Sequence, residues 1–165
     1  GDAAAHLRPT ADRVRESLFN VLMQYDVIPG ARVLDLFAGT GALGLEALSR
    51  GSARATFVDD GRVAQGLITQ NIRKLRVQDR TVLLRCDATR LPDPSDDPCT
   101  LVFLDPPYGK GLGEKALVAT DDWIAPGALV VWEESSAMLP PAGYALRNRR
   151  KYGDTHVTLL SKSPV

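Results

Sequence analysis

Residues 33–44 have the sequence VLDLFAGTGALG, in which an apolar strand leads directly into a glycine-rich turn that opens a helix. Gly39, Gly41 and Gly44 allow the backbone to approach a ligand closely and to take a positive φ without steric cost. In open α/β sheets the ligand crevice lies at the carboxyl ends of the strands, which is where this turn falls. The stretch therefore predicts a binding site for a nucleoside or dinucleotide.

The rest of the chain alternates between short apolar runs and longer amphipathic stretches. The pattern predicts strands over 32–37, 56–58, 81–86, 100–104 and 128–133, and helices over 11–25, 42–50, 62–76 and 113–119. We expect Thr10, after Pro9, to be the N-cap of the first helix. Two more strands, over 144–151 and 156–160, follow without a helix between them. This order predicts one α/β domain over residues 1–165, with a mostly parallel, doubly wound sheet and an antiparallel hairpin at one edge.

Composition excludes several classes of protein. The chain has 165 residues, of which 44% are hydrophobic and 24% charged, as expected for one globular domain. Its longest apolar runs, at 101–104 and 128–132, are far too short to cross a bilayer. Its start has no charged and apolar segments typical of a secretion signal. Cys86 and Cys99 fit neither a disulfide framework nor a metal-ligand pattern, so we expect free thiols and a reducing cytoplasm.

Charge is unevenly distributed along the chain, although the formal net charge is zero. A zero sum does not indicate a nucleic-acid binder, but binding depends on local charge as well as on the total. Basic residues cluster near both ends, at Arg8, Arg13, Arg15, Arg147, Arg149, Arg150 and Lys151.

Carboxylates end the first three predicted strands. Asp35 lies where it can reach a ligand's amino group but would be poorly placed beside a pyrophosphate, which disfavours a nicotinamide or flavin cofactor despite the G-x-G-x-x-G spacing. Asp59 suits hydrogen bonds to ribose hydroxyls, whereas we expect Asp60 to be solvated or to cap the next helix. Asp87 could accept from an adenine amino group or simply cap a loop.

The fourth strand ends in Asp105-Pro106-Pro107-Tyr108. A nucleobase amino nitrogen is a poor nucleophile because its lone pair is delocalised into the ring, so a site must hold both of its N–H groups while it attacks. The Asp105 carboxylate and the Pro106 carbonyl supply two acceptors, Pro107 stiffens the turn, and Tyr108 offers a face on which an extruded base can stack. Positioning can then supply much of the rate, and neither a metal nor a covalent nucleophile is required.

These residues together resemble class I S-adenosylmethionine-dependent methyltransferases that act on amino groups, whose tetrad is (Asp/Asn/Ser)-Pro-Pro-(Tyr/Phe/Trp). More narrowly, the chain resembles the bacterial RsmD family, which methylates guanine N2 in 16S ribosomal RNA. The resemblance is carried by RPTADRVRESLFN at 8–20, LDLFAGTG at 34–41 and KYGDT at 151–155, and it covers nearly the whole chain.

The resemblance implies a Rossmann-like fold, a seven-stranded sheet whose last strand is antiparallel, and S-adenosylmethionine as cofactor without a metal. It implies cofactor binding by Thr10, Asp35, Phe37, Gly39, Gly41, Asp59, Asp87, Ala88 and Asp105. The target guanine would be held by residues 105–108, and the RNA by Arg8, Arg13, Arg15, Arg149, Lys151 and Tyr152.

Further expectations concern partners and location. The implied partner is 16S ribosomal RNA, within the small subunit or an assembly intermediate, and we expect a cytoplasmic monomer without membrane contact. Members of the family usually begin with a basic, glycine-containing segment before the Arg-Pro-Thr stretch. We expect that segment to be absent, because the chain begins only a few residues before Arg8, and its loss bears on RNA affinity.

Two alternatives stay open at this point. Adenine-N6 methyltransferases of DNA or RNA use the same tetrad, so the target base rests on the resemblance. A non-catalytic module that binds ribosomal RNA during assembly could retain the same fold. A nicotinamide-dependent oxidoreductase would need a hydride-handling pair, and the only histidines are His6 and His156, of which we expect the second at the surface.

Overall fold

The computed structural model describes residues 9–164, with side chains from residue 12 onward, and within this range seven strands form one sheet in the order β3-β2-β1-β4-β5-β7-β6. The strands are β1 (Arg32–Leu36), β2 (Arg54–Val58), β3 (Thr81–Leu84), β4 (Cys99–Leu104), β5 (Ile124–Glu134), β6 (Tyr144–Tyr152) and β7 (Thr155–Lys162). Neighbours from β3 to β5 are parallel, whereas β7 is antiparallel to both β5 and β6. The predicted sheet and its edge hairpin are therefore confirmed.

Four helices connect and cover the strands in the described part of the chain. They are α1 (Pro9–Met23), α2 (Ala42–Ser49), α3 (Arg62–Leu75) and α4 (Leu112–Ala119), with short 3-10 turns at Gln78–Arg80 and Asp121–Trp123. None of these helices is long and apolar enough to cross a membrane.

The boundaries differ from the prediction by a few residues, and two of the differences are informative. The helix α1 already includes Pro9 and Thr10, so the expectation that Thr10 is its N-cap is wrong. Strand β5 begins at Ile124 rather than at Ala128, because the ladder to β4 continues through Pro126-Gly127 with a register shift between Cys99 and Leu101. Gly127 accommodates this irregularity with a φ of 82°, and a proline followed by glycine is a turn signal when only the sequence is considered.

Each central strand is buried on both faces, because alternate side chains enter two separate cores. One core joins α1, α2 and α3 to residues such as Phe57 and Phe103, and the other joins α4 to residues such as Leu104 and Trp132. Burial on both faces explains why these strands are continuous apolar runs rather than alternating ones. The carboxyl ends of β1, β2, β4 and β5 consequently meet at one edge, and the site is built there.

Helix α1 is held over this edge by the spacing of its apolar residues. Leu18, Phe19 and Leu22 lie on one face and are fully buried, and the Phe19 ring packs on Phe103 with 5.6 Å between centroids. One turn earlier, Val14 and Arg15 line a cavity above the strand ends. The segment before the sheet therefore forms one wall of the site.

Both cysteines are free, as predicted. Cys99 is buried, and its burial raises the pKa of the thiol to about 11. Cys86 is half-buried, and burial also raises its pKa, with Asp87 adding to the shift. Neither thiol therefore has the lowered pKa that reactive cysteines require.

Candidate active site

Two cavities adjoin at the carboxyl edge of the sheet and share Phe37 and Asp105. The first, of about 370 Å³, lies between α1, the glycine loop, and the ends of β4 and β5, and includes Asp35 and Glu133 in its lining. The second, of about 430 Å³, is lined by Phe37, Asp59, Asp60 and the tetrad from Asp105 to Tyr108. An extended ligand with two chemically different parts can therefore occupy both, with Asp105 at the junction.

The loop between β1 and α2 is shaped by three residues with positive φ. Phe37, Gly39 and Gly41 have φ values of 56°, 62° and 80°. This conformation is strained for a bulky residue such as Phe37, whose side chain lines both cavities. Gly41 precedes α2 without a side-chain cap. The loop thus exposes backbone to the cavity, as predicted from the glycine spacing.

Asp35 joins the end of β1 to the start of α2. Its side chain is only 1% exposed, and its Oδ2 accepts a hydrogen bond from the Gly44 backbone N–H at 3.0 Å. A Cβ on Gly44 would lie 2.5 Å from the Phe57 ring and 3.1 Å from this oxygen, so the position accepts only glycine without rearrangement. Burial raises the pKa of Asp35 well above its ordinary value; the Gly44 N–H opposes the shift, and the charges of Asp105 and Asp59 add to it.

Asp59 holds the glycine loop against the beginning of α3. Its two carboxylate oxygens accept hydrogen bonds from the backbone N–H groups of Gly39 and Gly61, each at 2.9 Å. Asp59 lines the second cavity, and the neighbouring Asp60 is exposed and lines the same cavity. Gly61, rather than Asp60, is the N-cap of α3. The structure therefore brings Asp59 to the position expected for a ribose-binding carboxylate.

Asp87 and Ala88 are not among the residues that line the two cavities. The Asp87 Oδ1 accepts hydrogen bonds from the backbone N–H and the hydroxyl of Thr89, both at 2.8 Å, and these bonds lower the pKa of Asp87. Ala88 is buried in the core on the α4 side. The described contacts give Asp87 a role in a local turn, and its contact with adenine stays a prediction.

The tetrad follows β4; Asp105 lines both cavities, and the other three residues line the second. Asp105 is half-buried, Pro106 is buried, and Tyr108 is 44% exposed. The pKa of Tyr108 is raised by burial, and the nearby Thr155 side chain partly offsets this. Thr155 is the first residue of β7 and lines the first cavity, so the exposed Tyr108 side chain lies on the side of the tetrad that faces the edge hairpin.

Glu133 is a site residue that sequence reasoning did not identify. It lies near the end of β5, lines the first cavity, and is the strand neighbour of Asp105, because Trp132 pairs with Leu104. Burial and then the Asp105 charge raise the pKa of Glu133 to about 9, and burial also raises the pKa of Asp105. Glu133 therefore keeps its proton at neutral pH, and the two groups titrate as a coupled pair. The available signal was the acidic pair Glu133-Glu134 directly after an apolar strand, the same signal that identified Asp59.

The predicted RNA-binding residues of α1 have different environments. Arg8 lies outside the described residues, as does the side chain of Thr10. Arg13 is exposed. Arg15 lines the first cavity and is paired with Asp12 at 3.2 Å and with Glu46 at 3.4 Å.

The basic residues near the end of the chain lie on β6, the edge strand of the sheet. Arg149 and Lys151 are exposed, and Arg149 donates from Nη2 to the Met138 carbonyl oxygen at 3.0 Å. The Tyr152 hydroxyl accepts from Ser17 Oγ at 3.4 Å, which connects the hairpin to α1.

Within residues 9–164, no group of three or more His, Cys, Asp or Glu side chains could hold a metal ion.

Comparison with known proteins identifies the family. The family described as conserved hypothetical protein 95 matches residues 2–161. The ribosomal RNA small subunit methyltransferase D of Escherichia coli K12 is 37% identical over 161 residues, covering 94% of this chain and 80% of that protein. The protein of the same name from Haemophilus influenzae is 35% identical over 154 residues, covering 89% of this chain and 79% of that protein.

A solved Escherichia coli structure named "Putative methyltransferase yhhF" has the same fold. It superposes with a TM-score of 0.83 at 36% sequence identity, covering 96% of this chain and 89% of that one. The resemblance inferred from the glycine loop, the tetrad and the flanking segments is therefore confirmed. The chain belongs to the conserved hypothetical protein 95 family, the RsmD family that its sequence resembles.

Proposed function

We propose that this protein transfers the methyl group of S-adenosylmethionine to the N2 amino group of a guanine in small-subunit ribosomal RNA. The observation that carries the proposal is the position of Asp105-Pro106-Pro107-Tyr108 at the junction of two cavities beside the glycine loop. The reaction and RNA class agree with the names of the relatives that cover most of this chain.

The carboxyl groups that line the two cavities fit S-adenosylmethionine. The first contains Asp35, Asp105 and Glu133, whose pKa values are all raised, so a cationic ligand would favour their ionised forms. The second contains Asp59, an acceptor suited to ribose hydroxyls. When bound, this cofactor supplies an electrophilic methyl group on a sulfonium. We place its amino-acid part against Asp35 and the glycine loop in the first cavity and its nucleoside against Asp59 in the second, which leaves the Asp105–Glu133 side of the first cavity for the target base. Asp87 and Ala88 near the adenine remain part of the proposal.

The tetrad holds the target amino group. The Asp105 carboxylate and the Pro106 carbonyl oxygen accept from its two N–H groups, which directs the nitrogen lone pair at the reacting carbon. The exposed face of Tyr108 stacks on the extruded base. Glu133 retains its proton in the free protein, which allows Asp105 to act as an acceptor beside a second buried carboxyl group.

The proposed RNA contacts lie on helix α1 and on the edge strand β6. Arg13 on α1 and Arg149 and Lys151 on β6 are exposed and can contact phosphates, which position a nucleic acid without reading its sequence. Because the proposed substrate is ribosomal RNA, we expect the protein to act in the cytoplasm. We also retain the expectation of a monomer.

The test is to incubate the protein with radiolabelled S-adenosylmethionine and small ribosomal subunits from cells that lack the endogenous enzyme. The RNA is then digested and the labelled nucleoside identified. Label in N2-methylguanosine is expected. Label in N6-methyladenosine would contradict the target base, and the absence of both label and cofactor binding would refute the proposal.

A variant tests the role of the tetrad. Asp105→Ala should lower turnover at least about a hundredfold, the usual cost of removing a key polar contact from a site, while cofactor affinity is largely kept. Asp93→Ala, which changes an exposed loop carboxylate, is the matched control. Near-normal turnover by the Asp105 variant would overturn the assigned mechanism.

A further inference from the structure

Asp105 and Glu133 are brought together by the pairing of two adjacent strands. Strands β4 and β5 are parallel with Leu104 opposite Trp132, so the residues that follow these two lie side by side at the carboxyl edge. Both side chains line the first cavity, and they lie close enough for each to shift the pKa of the other. The ion pairs in the described part of the chain involve Asp12, Glu46 and Asp121, so neither Asp105 nor Glu133 is paired with a cationic side chain there.

Two adjacent, half-buried carboxyl groups without a cationic partner are costly for folding, because partial burial and mutual repulsion both disfavour their charged forms. Such an arrangement in a cavity is a candidate for function rather than for stability. The tetrad mechanism uses Asp105 and leaves Glu133 without a partner other than Asp105. Glu133 is therefore available to accept a hydrogen bond from the substrate.

Guanine presents one more donor than the tetrad can satisfy. Its Watson–Crick edge carries the two N2–H groups and, next to them, the N1–H. Asp105 and the Pro106 carbonyl account for the amino group only. Adenine has an acceptor at N1 beside its amino group, and cytosine likewise has one at N3. An additional acceptor beside Asp105 would therefore separate guanine from the other amino-bearing bases.

We propose that Glu133 selects guanine by accepting the hydrogen bond of its N1–H, while Asp105 and Pro106 hold the N2 amino group. This inference rests on the proposed function. In the free protein Glu133 keeps its proton; in the complex the N–H donors of the base take its place, and that proton leaves to solvent. An ionised Glu133 faces the N1 lone pair of adenine with like charge, and that base is rejected.

The test compares guanine with 2-aminopurine at the target nucleotide of ligated 16S ribosomal RNA in reconstituted small subunits. 2-Aminopurine keeps the N2 amino group but has an acceptor at N1 in place of the N–H. The wild-type protein should prefer guanine in kcat/KM by roughly 10- to 100-fold, the cost of leaving a buried polar group unpaired. Glu133→Gln should reduce that preference at least about tenfold, because its neutral carbonyl is a weaker acceptor for the guanine N1–H and its amide N–H can donate to N1 of 2-aminopurine.

The controls separate this inference from neighbouring explanations. Glu114→Gln, which changes an exposed glutamate on α4, should keep the wild-type preference. If Glu133 acted only by positioning Asp105, Glu133→Gln would slow both substrates equally and leave the ratio unchanged, which would refute the inference. Wild-type label in N2-methylguanosine, measured in the same assay, shows that the proposed function holds even where the selectivity result is negative. Calorimetric binding of S-adenosylmethionine verifies that the variant is folded.

Discussion

Replacing Glu133 by glutamine should weaken the dependence of stability on pH in the ligand-free protein. The pKa of Glu133 is raised from 4.5 to about 9 in the folded state, because the group is buried and lies beside Asp105. Between these values the folded protein holds a proton that the unfolded chain has released. Stability is therefore greatest below the unfolded pKa and falls as pH rises toward the folded one.

The size of the effect follows from one proton. Each pH unit in this window costs about 1.4 kcal/mol, so the loss between about pH 6 and pH 8 is roughly 3 kcal/mol. For a chain of this length that corresponds to a decrease in Tm of roughly 5–10 °C. Glutamine carries no titrating proton, and its amide N–H can donate a hydrogen bond to Asp105. The Tm of the variant should therefore change little over this pH range. Asp35, whose pKa is also raised, leaves a residual slope in both proteins.

The assay is thermal unfolding followed by circular dichroism across this pH range, with Glu114→Gln as the control for removing an exposed glutamate. Wild type and the control should lose stability in parallel, and Glu133→Gln should be more stable than both at the alkaline end. The three proteins should converge below about pH 4, where Glu133 is protonated in the unfolded chain as well and has the same charge as glutamine in both states. Parallel curves for all three proteins would show that Glu133 does not hold the proton.

Two further predictions concern the glycine loop and the second cavity. Gly44→Ala should lower the free energy of unfolding by about 1–3 kcal/mol, because its Cβ would lie 2.5 Å from the Phe57 ring, whereas Gly66→Ala in α3 has open space and should raise it by about 0.5–1 kcal/mol. Urea denaturation measures both, and a loss of equal size in the two variants would contradict the packing argument. Asp59→Ala should weaken S-adenosylmethionine binding about tenfold or more in calorimetry, because it removes two backbone hydrogen bonds as well as the proposed ribose acceptor, and Asp60→Ala should change it less than about threefold. The opposite order would assign the ribose to Asp60.

Much of the site could be predicted because its residues follow local rules. Glycines at 39 and 41 take the positive φ that the turn requires, and the carboxylates at 35, 59 and 105 lie at the ends of apolar strands in a parallel sheet. Such strands carry their ligand groups at one edge, so sequence position alone predicts that these groups converge. For Asp87 position alone decides less, since its Oδ1 accepts from a hydroxyl and an N–H two residues away, and its contact with adenine stays a prediction.

The sequence by itself determined the order of strands and helices, the glycine loop, the tetrad and the family. These features depend on backbone preferences and on spacing within short segments, which the chain carries locally. Only the tertiary structure revealed that Glu133 lies beside Asp105 with a raised pKa, that Arg15 pairs with Glu46, and that Tyr108 approaches Thr155. Each of these depends on contacts between separate elements, and protonation also depends on burial. Both are decided by how the strands pack side by side, which no single segment specifies.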